Sequence, residues 1–346
     1  MQAYRIVEWG RPPEFADVPK PVAGPGEVVL QMKGAGLCRS DLDMMEGAPY
    51  SDWLKAGYTL GHENAGVVHE LGQGVTDLAE GDAVVVHHMQ VCGHCDFCLN
   101  GTEQSCTTNS VGPLPITRGC GIDGGLAPYL VVPRKELLAI GTTDPVSVAP
   151  LTDAGVTAYR AVKSVQERLS PGSHVLVIGI GGLGSFAVQF LKLLTGATII
   201  AMDVGEGRLR HARDLGAHHT LLSGPRAVEE IMDVTRGRGC EAIIDFVGTD
   251  GTLEAAAGVS RPQGRIVLVG MELGTLKVGW GSMATSCEFA ISLGSKRADL
   301  REVCELAARG LLRIDVERFS FADVETAYQN LREGKLSGRA VITFES

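Results

Sequence analysis

The chain has 346 residues, more than one hydrophobic core ordinarily serves, so two domains, or one large α/β body with an appendage, are expected. Apolar residues make up 45% and charged residues 21%, with 45 glycines, which argues against a disordered or fibrous chain and fits an α/β protein rich in tight turns. A net charge of −10 with no basic run argues against nucleic acid or an anionic membrane as partner, and no apolar run reaches the 18 residues of a membrane span. The segment Met1-Gln2-Ala3-Tyr4-Arg5 begins like a strand without an apolar signal core, so a cytoplasmic location is expected. There, nine cysteines read as thiols or metal ligands before disulfides.

Up to about residue 150, short strands between Gly and Pro turns are predicted at Val28 to Met32, Gly66 to Leu71, Ala83 to His87 and Tyr129 to Pro133. From about residue 172 the pattern alternates, with strands at His174 to Gly179, Thr198 to Asp203, His219 to Leu222, Ala242 to Phe246, Arg265 to Val269 and Phe289 to Leu293. Helices fit at Leu183 to Thr195, Gly207 to Leu215, Arg226 to Thr235 and Gly251 to Val259, which predicts a doubly wound, six-stranded parallel sheet. A further helix, Arg297 to Arg309, precedes a β-like tail, Arg339 to Phe344, expected to rejoin the first domain.

Four cysteines crowd one lobe at about 90–108: Cys92-Gly93-His94-Cys95-Asp96-Phe97-Cys98, then Cys106 after seven residues. Four thiolates complete a tetrahedral Zn²⁺ and leave no place for substrate, so the site is expected to be structural, contributing about 10–16 kcal/mol to a folded loop. His94 is an alternative ligand that four cysteines make unnecessary. A second set is dispersed: Cys38, His62 with Glu63, and Asp153. One thiolate, one imidazole and one carboxylate leave a fourth zinc position open, which is what a Lewis acid requires. Singly, each has a blander explanation, a packed thiol or, for Asp153, a helix cap; their co-occurrence carries the inference.

Gly179-Ile180-Gly181-Gly182-Leu183-Gly184 follows an apolar strand and opens a helix, and Asp203 ends the next strand nineteen residues beyond Gly184. In that context the hexamer predicts a pyrophosphate cradle, with the Asp203 carboxylate on the adenosine ribose hydroxyls. The same carboxylate repels a 2′-phosphate, so NAD is expected over NADP. Arg208 is a further ribose candidate, and Val247 and Val269, at two strand ends, join the expected cofactor contacts.

With Gly61-His62-Glu63-Asn64-Ala65-Gly66, the cysteine lobe and the late Gly-rich fold in this order, the chain resembles the zinc-containing medium-chain alcohol dehydrogenases over nearly its whole length. Pro150-Leu151-Thr152-Asp153-Ala154-Gly155 and Asp245-Phe246-Val247-Gly248 are most similar to bacterial NAD-dependent secondary-alcohol dehydrogenases. The resemblance implies a GroES-like β-rich catalytic domain from 1–151 and 290–346, a Rossmann domain at 152–289, and a cleft between them. It implies two Zn²⁺ per chain and a homodimer or homotetramer. Cys38, His62 and Asp153 match the catalytic ligands, Glu63 an alternate ligand, Ser40 the hydroxyl that takes the substrate proton, Arg39 a pyrophosphate contact and Thr157 a contact near the nicotinamide. Five residues after the ligand Cys many relatives carry a proton-relaying His, and here stands Asp43. The segment Pro49 to Tyr58, with Tyr50, Trp53 and Gly57, also departs from the family and is expected at the substrate mouth.

The expected reaction is reversible NAD-linked oxidation of a secondary alcohol, apolar or aryl, since Trp53, Leu54 and Leu293 make an apolar neighbourhood. The alternatives are a polyol or amino-alcohol dehydrogenase, whose pocket should offer extra hydrogen-bond partners, and a non-catalytic zinc and dinucleotide sensor, which should lack an open-site ligand. Cys120, Cys240, Cys287 and Cys304 have no partner spacing and read as packing or free thiols.

Overall fold

In the computed structural model, residues 1–47, 50–111 and 114–345 are described. β1 (Gln2–Ile6) and β2 (Glu14–Asp17) pair antiparallel, and β3 (Glu27–Gly36) begins the main sheet of the first unit. Val28, Val29, Leu30, Met32 and Ala35 are fully buried, so β3 has core on both faces and lacks the alternation of a half-solvated strand. α1 (Arg39–Glu46) follows, then β4 (Tyr58–Thr59), β5 (Glu63–Leu71), β6 (Ala83–Val86), β7 (Tyr129–Pro133) and β8 (Leu137–Ala139). Then come α2 (Ala154–Lys163) and the second unit, built of β9 (His174–Ile178), α3 (Gly182–Leu194), β10 (Thr198–Asp203), α4 (Glu206–Leu215), β11 (His219–Leu222), α5 (Ala227–Val234), β12 (Cys240–Asp245), α6 (Asp250–Val259), β13 (Ser260–Leu268) and β14 (Glu288–Ile291). α7 (Arg297–Ala308), β15 (Val316–Ser320), α8 (Val324–Arg332) and β16 (Arg339–Thr343) return to the first unit.

The sheet of the first unit runs β8-β6-β5-β3-β16-β15, with β7 also on β3. One edge of β3 is shared: Glu27 to Gln31 pair with β7, and Gly34 to Gly36 with β16. Gly36 faces Glu63 of β5 and Val341 of β16, so the end of β3, the start of β5 and the C-terminal tail meet at one end of the sheet. The predicted strand Val28 to Met32 stops short of this end and leaves out Gly34 and Gly36. They are strand residues here, where a Cβ on Gly34 would come within 3.0 Å of Val146 Cα and one on Gly36 within 2.0 Å of Glu63 Oε2.

The second unit is one parallel sheet, β11-β10-β9-β12-β13-β14. That is the doubly wound dinucleotide-binding order, with the crossover between β9 and β12. Leu176, Ile178, Ile200, Met202, Ile243 and Ile266 form its core. The units divide at Val156/Thr157 and Leu293/Gly294, a few residues past the expected 151/152 and 289/290. A cut at 290 would fall inside β14, which pairs along its length with β13. No helix among the described residues is long and apolar enough to cross a membrane.

Candidate functional site

Cys38 is the N-cap of α1, two residues past β3, and His62 directly precedes β5, so the Gly36–Glu63 pairing brings both to one sheet end. Asp153 comes from the turn before α2. Ligand atoms of Cys38, His62, Glu63 and Asp153 all lie within 4.8 Å of one another. His62 Nε2 is 3.3 Å from Asp153 Oδ2 and 3.4 Å from Ser40 Oγ. Its Nδ1 is 2.9 Å from Asp41 Oδ1, at ion-pair distance though not an aligned hydrogen bond.

Asp41 is a member of this site that nothing in the sequence marks. As the N3 residue of α1 it accepts the Cys38 N–H at 3.0 Å and the Tyr328 hydroxyl at 3.1 Å, and it orients His62 so that Nε2 faces the cluster. Arg339 is another. It reaches Glu63 Oε1 and the Leu37 carbonyl from β16, and the first N–H of α2, on Ala154, donates to the same Glu63 oxygen at 3.3 Å. Glu63 Oε2 is buried without a hydrogen-bond partner. Burial pushes the Glu63 carboxyl up to about 7, against the Arg339 guanidinium.

The electrostatics fit a cation. Burial disfavours charge on His62, yet the charge of Asp41 and the contacts with Asp153 and Cys38 hold its pKa well above the ordinary value. Burial likewise opposes ionisation of Asp153, and His62 overcomes it, so that carboxyl sits well below the usual range. A pocket whose carboxylates draw positive charge toward its centre suits a cation there, and a sulfur, an imidazole nitrogen and carboxylate oxygens are the donor set that Zn²⁺ takes.

The expected structural lobe is assembled. Cys92, Cys95, Cys98 and Cys106 place their sulfurs within 4.8 Å of one another, with Cys92 to Cys98 at 3.7 Å and Cys95 to Cys106 at 3.9 Å. A tetrahedron with Zn–S bonds of about 2.3 Å has edges of about 3.8 Å, so the sulfurs stand where a zinc ion needs them. A hydrogen bond with the Thr108 side chain, helped by the N–H groups of His94 and Cys95 that donate to Cys92 Sγ, lowers that thiol to about 5, while burial pushes Cys98 up to about 12. His94 itself is exposed and lies outside the cluster.

In the second unit Gly179 adopts φ +83°, and a Cβ on Gly184 would fall 1.9 Å from the Gly179 carbonyl, so strand and helix approach each other as the motif requires. Gly181 is the N-cap of α3 without a side-chain cap, followed by Gly182 and Leu183, and a Cβ there would meet nothing within 4 Å. The buried Asp203 carboxylate accepts the N–H groups of Ile180 at 2.7 Å and Gly205 at 2.8 Å, and Arg208 Nη1 is 3.6 Å away. It therefore fastens the Gly-rich turn to the end of β10. Val247 and Val269, both half-buried, are held through Asp245, which accepts the Val247 N–H on Oδ1 and the Val269 N–H on its carbonyl.

Of the remaining expectations, Thr157 is buried in α2, and exposed Arg39 is 3.7 Å from Asp43 Oδ1 along one helical turn. Pro49 lies outside the described residues. Tyr50, Leu54 and Tyr58 enter the core of the first unit, with Trp53 packed edge-on against Tyr50. All nine cysteines are free thiols.

Comparison with known proteins gives the following. Residues 24–142 match the alcohol dehydrogenase GroES-like domain family and residues 182–309 the zinc-binding dehydrogenase family. The chain is 34% identical to an NAD-dependent alcohol dehydrogenase of Sulfurisphaera tokodaii, over 99% of both chains, and 32% identical to an alcohol dehydrogenase of Geobacillus stearothermophilus, over 99% and 98%. The crystal structure of the alcohol dehydrogenase from Aeropyrum pernix superimposes with a TM-score of 0.91 at 34% identity, covering 99% of this chain and all of that one.

Proposed function

Because this chain belongs to the zinc-binding alcohol dehydrogenase family, with its GroES-like and Rossmann folds, we propose that Cys38, His62 and Asp153 hold a catalytic Zn²⁺ at which an alcohol is oxidised with NAD. One observation carries this assignment: a thiol, an imidazole and two carboxylates gather within 4.8 Å, and because Arg339 holds Glu63, three ligands and a fourth position for substrate oxygen are the expected set. Zinc there supplies Lewis acidity and NAD⁺ accepts the hydride, so alcohol and NAD⁺ give carbonyl compound, NADH and a proton. Ser40, 3.4 Å from His62 Nε2, takes the hydroxyl proton. Asp41 fixes the His62 ring, and Glu63, held by Arg339, stands behind the ligands as an alternate one. Arg39 and Thr157 are cofactor contacts by family resemblance, and Asp203 binds the ribose and repels a 2′-phosphate. Cys92, Cys95, Cys98 and Cys106 hold the second, structural Zn²⁺. The preferred substrate class is a secondary alcohol.

The working protein is a homo-oligomer, dimer or tetramer. β14 is the outer strand of its sheet, and Met271, Leu273, Val278, Trp280 and Ile291 expose apolar side chains in the same unit. Nine free thiols and a lobe of four metal-ready cysteines suit a reducing, cytoplasmic setting. Elemental analysis and NADH formation test the assignment together. Two zinc ions per chain are expected, with Cys38→Ser losing one zinc and nearly all turnover while keeping its fold. One zinc in the native chain, or full turnover in Cys38→Ser, refutes it.

A further inference from the structure

His88 lies just beyond β6, 4% exposed, and neither metal cluster nor the proton path uses it. Its Nδ1 is 2.6 Å from the Thr152 carbonyl. A carbonyl oxygen only accepts, so Nδ1 carries the hydrogen of that bond and the ring orientation is fixed. Nε2 is thereby turned toward Asp153, 3.8 Å from Oδ1. The other oxygen, Oδ2, faces His62 at 3.3 Å and hence the metal position. At 3.8 Å the two atoms are too far apart for a direct hydrogen bond, and with its hydrogen on Nδ1 the ring presents Nε2 as an acceptor for a single donated hydrogen. His88 is thus a buried polar group beside Asp153 to which the metal cluster assigns no ligand role.

We propose that His88 is a specificity-determining residue whose Nε2 accepts a hydrogen bond from a second substrate hydroxyl, so that the preferred secondary alcohol is a vicinal diol and the product an α-hydroxy ketone. The inference deepens the dehydrogenase reading and rests on the open metal position at Cys38, His62 and Asp153. The reacting hydroxyl occupies that position and its neighbour on the adjacent carbon meets Nε2, where the buried imidazole gains a partner that a simple alcohol cannot give. This supplies the extra hydrogen-bonding group expected of a polyol pocket.

The matched probes are 2,3-butanediol and 2-butanol, which differ by one hydroxyl, assayed with zinc-loaded enzyme and NAD by NADH absorbance. Wild type should favour the diol in kcat/KM by about tenfold or more, chiefly through KM. His88→Asn keeps a donor for the Thr152 carbonyl and removes the outer nitrogen; its ratio should fall to near one with both zinc ions retained by elemental analysis. His88→Gln, which sets an amide oxygen near the Nε2 position, should recover part of the preference. A wild-type ratio near or below one, or an unchanged ratio in His88→Asn, overturns the inference and leaves the dehydrogenase intact. Zinc loss in His88→Asn makes His88 a support of Asp153, and that also overturns it. A zinc-loaded wild type that oxidises neither alcohol overturns the open-site reading as well.

Discussion

Asp41→Asn is the sharpest probe of the proposed catalytic cluster, because it changes one atom and removes one charge. Asp41 serves three groups at once: the Cys38 N–H at 3.0 Å, the Tyr328 hydroxyl at 3.1 Å, and His62 Nδ1 at 2.9 Å. Asparagine has one acceptor oxygen. If its amide nitrogen faces His62, donor meets donor, and the ring must move its proton to Nε2, the atom that should bind metal. If the oxygen faces His62, the buried Cys38 N–H loses its acceptor, at about 1–3 kcal/mol. Either way the variant should lose 10- to 100-fold in zinc affinity or turnover, about 1.4–2.7 kcal/mol. Zinc affinity is read by chelator competition and turnover by NADH formation. Tyr328→Phe removes a single hydrogen bond and should cost about 1 kcal/mol or less. An Asp41→Asn enzyme with wild-type zinc affinity and wild-type turnover would refute the reasoning.

Other outcomes follow from the same geometry. Cys95→Ser should empty the structural lobe and lower Tm by about 10 °C or more in calorimetry, since the bound ion contributes several kcal/mol to folding; an unchanged Tm contradicts a structural zinc. Asp203→Gly should narrow the kcat/KM gap between NAD and NADP and raise the KM for NAD, because it also frees the Ile180 and Gly205 N–H groups; a wild type that prefers NADP defeats this. Asp43 is engaged by Arg39, so Asp43→Asn should change NAD affinity more than the pH profile of kcat, while Ser40→Ala lowers kcat by about 10²–10⁴; a large alkaline shift at constant NAD affinity would make Asp43 a relay. Burial depresses His87 to about 3, so the unfolded chain binds the extra proton below pH 6.5 and stability falls as pH falls from there; at pH 5 the loss is about 2 kcal/mol. Urea unfolding at pH 7 and pH 5 should show that loss relieved in His87→Phe, and an equal acid slope in both proteins would exclude it.

What was legible in the sequence was whatever is written at short range. The Gly-rich turn, the four-cysteine lobe and the strands Thr198–Asp203 and His219–Leu222 each carry their signal within a few residues, because one strand, one turn or one metal clip decides them. Cys38, His62 and Asp153 were readable as a set from their residue types and from family resemblance, although nothing local joins them. The partners that make them a site were not. Glu63 and Arg339 are 276 residues apart, and Tyr328 and Asp41 287, and each pair meets only because β16 closes on the end of β3 and α8 packs beside α1.

Those long-range contacts also explain why Arg339, Asp41 and His88 each resemble ordinary surface or strand-end residues until the sheet is assembled. An Arg in a C-terminal strand is usually solvated, and an Asp in a first helical turn usually answers the helix dipole. Here the C-terminal tail delivers a buried guanidinium to Glu63, and the helix start delivers a carboxylate to His62. Both acts depend on the register Gly36 to Glu63 and Gly36 to Val341. A side chain on Gly36 would strike Glu63 Oε2 and push the two strands apart at the point where the ligands converge. The proposed metal cluster is therefore a property of that one sheet end, and a small change at Gly36, a residue that bears no chemistry of its own, is expected to disturb it.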